Sequence, residues 1–81
     1  MRLPNDLSGD ELSALLARFG YKKTRQTGSH IRLSTTMNGV HHITIPAHKQ
    51  LRVGTLHSVL KDAANHLDLE WQMFLGELLK K

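Results

Sequence analysis

Hydrophobic positions along the chain follow two different periods, and the change between them separates helices from strands. Leu12, Leu15, Leu16 and Phe19 recur at i, i+3, i+4 and i+7, which is one face of a helix. Ser8 and Glu11 have the spacing of a capping box, with Leu7 and Leu12 placed as a hydrophobic staple. Asp10 and Glu11 suit the positive end of the helix dipole, and Gly20 is a natural C-cap. The period then shortens to two. Ile31, Leu33 and Thr35 alternate with His30, Arg32 and Ser34; later His41, Ile43 and Ile45 alternate with His42 and Thr44 until Pro46 stops the strand. Asn38-Gly39 between these runs is a hairpin signal. The polar stretch Tyr21–Gln26 reads as a further strand, closed by Thr27-Gly28 as a turn or bulge.

The helical period then returns. Leu56, Val59, Leu60, Ala63 and Ala64 share a face, with Thr55 as the expected N-cap. A last segment from about Asp68 carries Trp71, Phe74, Leu75, Leu78 and Leu79 at helical spacing. The expected fold is α+β: an α-β-β-β-α order with two helices on one face of a three-stranded antiparallel sheet, plus an extra C-terminal helix. The whole, 1–81, reads as a single domain with a core at about 8–66 and a helical extension at about 68–80. Ile31, Leu33, Ile43 and Ile45 form the apolar sheet face; His30, Arg32, Ser34, His42 and Thr44 form a wet one. A stripe like that of the last helix is more often core than partner surface, so Trp71 and Phe74 are expected to be largely buried.

Composition narrows the function classes. Cysteine is absent, which removes disulfides and cysteine-based zinc sites and fits a cytoplasmic protein. No apolar run approaches the roughly 20 residues that span a bilayer, and the first residues lack a signal-peptide core. Eleven Lys and Arg against seven Asp and Glu give a net charge of +4. Such a balance suits an anionic partner, commonly nucleic acid. Arg18, Lys22, Lys23, Arg25 and Arg32 crowd the first half, whereas the acids Asp6, Asp10 and Glu11 are accounted for by helix chemistry.

The chain has six histidines. His30 follows Thr27-Gly28-Ser29 and opens a strand on the wet face, with Lys23, Arg25 and Arg32 close in sequence to hold phosphates. Gly28 allows a backbone to approach an anion closely. A histidine can take or give a proton at neutral pH, although from the residues alone an ordinary exposed strand histidine is the commoner reading. His41 and His42 are neighbours on a strand and point to opposite faces, so they do not share a metal, and no metal site is expected. His57 and His66 are expected to face solvent.

The run from Tyr21 to His30 resembles the signature of HicA toxins: Gly20-Tyr21, then Arg25, then Gly28-Ser29-His30. Ile43-Thr44-Ile45-Pro46-Ala47-His48 is similar to the family's strand ending in Pro-x-His, and Gly54-Thr55-Leu56 through Leu60-Lys61-Asp62-Ala63 to its second helix. The resemblance spans about Leu12 to Ala64, and the chain continues past it from Leu67 to Lys81. It implies a double-stranded-RNA-binding-domain-like fold. It implies a ribonuclease that cleaves mRNA and halts translation without a metal or other cofactor. His30 would inherit the catalytic role, with Lys23, Arg25, Gly28, Ser29 and Arg32 holding RNA. A HicB-like antitoxin would bind the protein and block its site. Two other readings stay open: a non-catalytic RNA-binding module of the same fold, and a small protein-interaction domain. No second acid–base group stands out; His42 and His48 qualify by residue type alone.

Overall fold

The first helix starts where the capping box places it. Ser8 Oγ accepts from the Glu11 N–H at 3.0 Å, and the Glu11 carboxylate accepts from the Ser8 N–H at 2.9 Å. The computed structural model describes residues 6–80, so the outer limits of the expected 1–81 unit lie outside the described residues. Helix α1 (Gly9–Leu16) runs into a 3₁₀ turn (Ala17–Phe19), followed by strands β1 (Lys22–Thr27), β2 (His30–Thr35) and β3 (His41–Pro46). Helices α2 (Val53–Leu67) and α3 (Trp71–Leu78) complete the chain. The sheet is antiparallel in the order β1-β2-β3. The fold is therefore α+β with a three-stranded sheet and three helices, as the periodicity implies.

The two sheet faces divide as their alternation requires. Ile31, Leu33, Ile43 and Ile45 are buried in one core with Leu12, Leu16, Phe19 and Tyr21 from the first segment and Leu56, Leu60 and Ala63 from α2. The other face is open, with His30, Arg32, His42 and Thr44 exposed. Helix α3 belongs to the same core: Phe74, Leu75 and Leu78 are fully buried, and the Phe74 ring stacks on Phe19 at 4.9 Å. Trp71, expected to be largely buried, is only partly so. It lies at the rim, with the His57 ring against it at 5.2 Å and Lys61 Nζ 4.5 Å over its face.

Several boundaries differ from the expectation, each for a local reason. Helix α2 begins at Val53 with Arg52 as N-cap and no side-chain cap, so Thr55 lies inside the helix. Its start is set by Leu51, which is buried and whose N–H donates to the Leu7 carbonyl at 2.8 Å, so tertiary anchoring replaces the cap. Asp68 does not open the last helix; it ends α2 in a left-handed conformation, with the Leu69 N–H donating to Ala64 O and the Asp68 N–H to Asn65 O. The Glu70 carboxylate then caps α3 by accepting from the Gln72 and Met73 N–H groups. The Asn38-Gly39 hairpin is real, but residues 36–40 form a loop rather than a two-residue turn. His66, expected in solvent, holds that loop: its Nε2 lies 2.9 Å from both the Met37 and Gly39 carbonyls.

Among the described residues, Thr35 is a polar side chain buried in the core. Thr35 Oγ1 donates to the Phe19 carbonyl at 2.9 Å and accepts from the Met37 N–H at 3.1 Å, tying the end of the first helical segment to the end of β2. Thr35→Val keeps the shape and removes both bonds. Leaving buried polar groups without their partner is expected to cost about 1–3 kcal/mol. Urea denaturation checks this; a midpoint equal to that of the wild type would show that the tie carries no stability.

Candidate active site on the open sheet face

Strand register decides which side chains meet on the open face. Thr27 pairs with His30, Arg25 with Arg32, and Lys22 with Ser34; on the far side, Pro46, Thr44 and His42 pair with the same three β2 residues. Paired residues share a face. The open face is thus a grid of three rows, centred on His30, Arg32 and Ser34. A depression of about 210 Å³ occupies the first two rows, lined by Arg25, Thr27, His30, Arg32 and Thr44.

Arg25 reaches this face only because β1 is irregular. The register shifts between Lys23 and Arg25, with Thr24 as the extra residue. Without it, Lys23 and Arg25 would share a face. With it, Lys23 pairs with Leu33 on the helix side, where its Nζ donates to Gln26 Oε1 at 3.1 Å. Of the three basic residues singled out from sequence, Arg25 and Arg32 therefore come together beside His30, and Lys23 does not join them. Lys22, in register with Ser34, lies on the open side instead.

Gly28 and Ser29 form the two-residue turn between Thr27 and His30. Gly28 has φ +54°, a conformation that side chains other than glycine rarely adopt. A Cβ there would meet nothing within 4 Å, so the backbone demands the glycine and crowding does not. The Ser29 carbonyl accepts from the Ala47 N–H at 2.7 Å, which fixes the turn against the end of β3. Ser29 Oγ lies 3.5 Å from His30 Nδ1, a long contact that leaves the imidazole open to solvent.

The electrostatics of the face are one-sided. All seven carboxylate side chains lie before, on or at the caps of helices, and none lies on a strand. Among the described residues the one contact of ion-pair length is His41 Nε2 to Asp62 at 3.3 Å, on the covered side. Arg25 and Arg32 thus stand directly opposite one another with no carboxylate against either. Like charges in that relation destabilise a sheet. Such a pair is suited to an anion that bridges it.

The remaining histidines sort by face. His41 is half-buried on the helix side, where Tyr21 O–H lies 2.8 Å from its Nδ1 and the His66 ring stacks on it at 4.2 Å. Burial, and secondarily the Asp62 carboxylate, push the Tyr21 phenol up to about 12. His42 is on the open face but in the third row, about 14 Å along β2 from His30 by strand rise. That is too far for both rings to act on one phosphate. His48 follows β3 in an exposed loop whose carbonyl accepts from the Gly9 N–H. Thr27 and Thr44 complete the depression. The alternation places Thr44 there, whereas Thr27 reads from sequence as part of a turn.

No curated protein and no solved structure matches the chain. The family model described as HicA toxin of bacterial toxin-antitoxin systems matches residues 9–64, from the first residue of α1 into α2, and includes every residue lining the depression. That span is well over half of the 81 residues, and the protein accordingly belongs to the HicA family of toxins.

Proposed function

We propose that this toxin is an endoribonuclease that cleaves mRNA, with His30 as its catalytic residue. The observation that carries the reading is the depression itself: an exposed imidazole one row from two arginines that face each other without a carboxylate. A phosphodiester bound there is held between the two guanidiniums, which offset its charge as it grows in the transition state. His30 takes the proton from the ribose 2′-OH as the 2′-oxygen bonds to phosphorus. The bond from phosphorus to the 5′-oxygen breaks, and that oxygen takes a proton from water or from the imidazolium. No metal or other cofactor enters this scheme.

A HicB-like antitoxin is the partner expected for a toxin of this family, and the open face is the surface it would cover. An antitoxin that lays carboxylates against Arg25 and Arg32 would occupy the site of the substrate phosphate. The partner would then act as a competitive block. The family's toxin role, the absence of any carboxylate on the strands and the exposure of His30 support this reading.

RNA cleavage by the wild type against His30→Ala tests the assignment, and a module that only binds RNA would cut in neither form. The arginines give a separate expectation. Arg32→Gln should weaken RNA binding and lower the slope of log affinity against log salt by about 0.7, the loss of one phosphate contact to a single strand. Relief of the Arg25–Arg32 repulsion should leave the melting temperature unchanged or slightly raised. A salt titration by fluorescence anisotropy checks this. An unchanged slope would place Arg32 outside the phosphate path.

A further inference from the structure

The third row of the open face is built as carefully as the first two. Thr24, Ser34 and His42, one from each strand, form a hydrogen-bonded chain across the whole sheet. Ser34 Oγ lies 2.6 Å from His42 Nδ1. Thr24 Oγ1 lies 3.3 Å from Ser34 Oγ and 3.4 Å from the Arg32 carbonyl. Whichever way the protons run along this chain, Nδ1 is engaged and the ring is held in one orientation. The Nε2 edge has no partner among the described residues, and the ring is exposed.

The flat rings of the protein are unevenly placed. Phe19, Tyr21 and Phe74 are buried in the core, and Trp71 lies at its rim on α3. Among the described residues, the only rings on the open face of the strands are those of His30 and His42. Proteins that hold single-stranded RNA combine a basic track for the backbone with rings on which bases stack. Arg25 and Arg32 supply the track beside His30, and Lys22, in register with Ser34, extends it along β1 to the third row. His42 supplies a ring at that end, about 14 Å from His30 and so out of reach of the phosphate being cut.

We propose that the Thr24–Ser34–His42 row is a second RNA subsite: a base flanking the cut stacks on the His42 imidazole and bonds its Nε2 edge, and Lys22 holds the phosphate beside it. This rests on the reading of the open face as an RNA-cleaving site and assigns to it a specificity-determining residue. Ser34 is a positioning residue, because it acts by holding the ring.

The test uses the full chain and a short, labelled, single-stranded RNA of mixed sequence. Binding is measured by anisotropy in a His30→Ala background, which prevents cutting, with and without His42→Ala. Cut positions, KM and kcat are measured for wild type, His42→Ala and His42→Phe. His42→Ala is expected to weaken binding about tenfold, the scale of one lost base stack. It should raise KM with far less effect on kcat than His30→Ala has, and should redistribute the cuts. His42→Phe keeps a ring without the polar edge, so it should recover most of the affinity while the altered cut pattern persists. Ser34→Ala should move both readouts in the direction of His42→Ala. If His42→Ala binds and cuts as wild type while His30→Ala does not cut, this subsite is refuted and the catalytic assignment stands. If His42→Ala loses affinity for the antitoxin alone, the row is a protein contact and the proposal is equally refuted. Cutting that does not depend on His30 would overturn both.

Discussion

His30→Ala is expected to abolish RNA cleavage and toxicity while the protein melts as the wild type does. The two halves of that expectation have different causes. His30 is exposed at the first position of β2, on the face opposite Ile31 and Leu33, and its side-chain hydrogen bond is the long one to Ser29 Oγ. Surface substitutions of this kind change stability by no more than about 0.5 kcal/mol. Loss of a general acid–base group, by contrast, slows a reaction by about 10²–10⁴-fold. RNA binding should fall much less, because Arg25 and Arg32 remain and phosphate contacts supply most of the affinity. The measurement is a matched set of thermal melt, RNA affinity and cleavage rate for both proteins. A variant that melts normally and still cuts at the original rate removes His30 from the mechanism.

Phe74→Ala is expected to have the largest effect on stability. The ring is fully buried, stacked on Phe19 at 4.9 Å and beside Trp71 at 6.0 Å. Truncating a buried phenylalanine costs about 3–5 kcal/mol. In a domain of this size each kcal/mol lowers the melting temperature by about 4–8 °C, so a fall of roughly 12–40 °C follows from the two figures together. Met73→Ala is the control: it is the adjacent residue on the same helix, but the residue is 66% exposed. If Phe74→Ala and Met73→Ala melt alike, α3 is not part of the core and its stripe belongs to a partner. The family match ends at residue 64, yet the first helical segment depends on α3 to cover the Phe19 ring. The C-terminal segment is therefore a structural part of this toxin.

Much of the architecture was legible along the chain because it follows from local periods. Leu12, Leu15, Leu16 and Phe19 can face one side only as a helix, and Ile31, Leu33, Ile43 and Ile45 only as strands. The capping box formed as its spacing demands, because both of its bonds lie within one helical turn. The pairing of His30 with exposed positions was also legible, since alternation alone puts it opposite the isoleucines.

Other features have no local signature. The Thr24 bulge turns Lys23 from the open face and brings Arg25 to it, and an edge strand of six exposed residues carries no apolar pattern from which a shift of register could be read. His66 reads as a solvent-facing helical residue, because the carbonyls of Met37 and Gly39 that it holds are far away in sequence. Asp68 carries the composition of a helix start, yet it ends a helix, because the chain has to turn there for Phe74 to reach Phe19. The sequence by itself determined the elements, the two faces of the sheet and the place of His30 on the polar one, since each depends on side chains within a few residues of one another. Only the tertiary structure decided which cations meet at His30, where α2 and α3 begin, and that His42 stands about 14 Å from His30, since those depend on strand register and on contacts between distant segments.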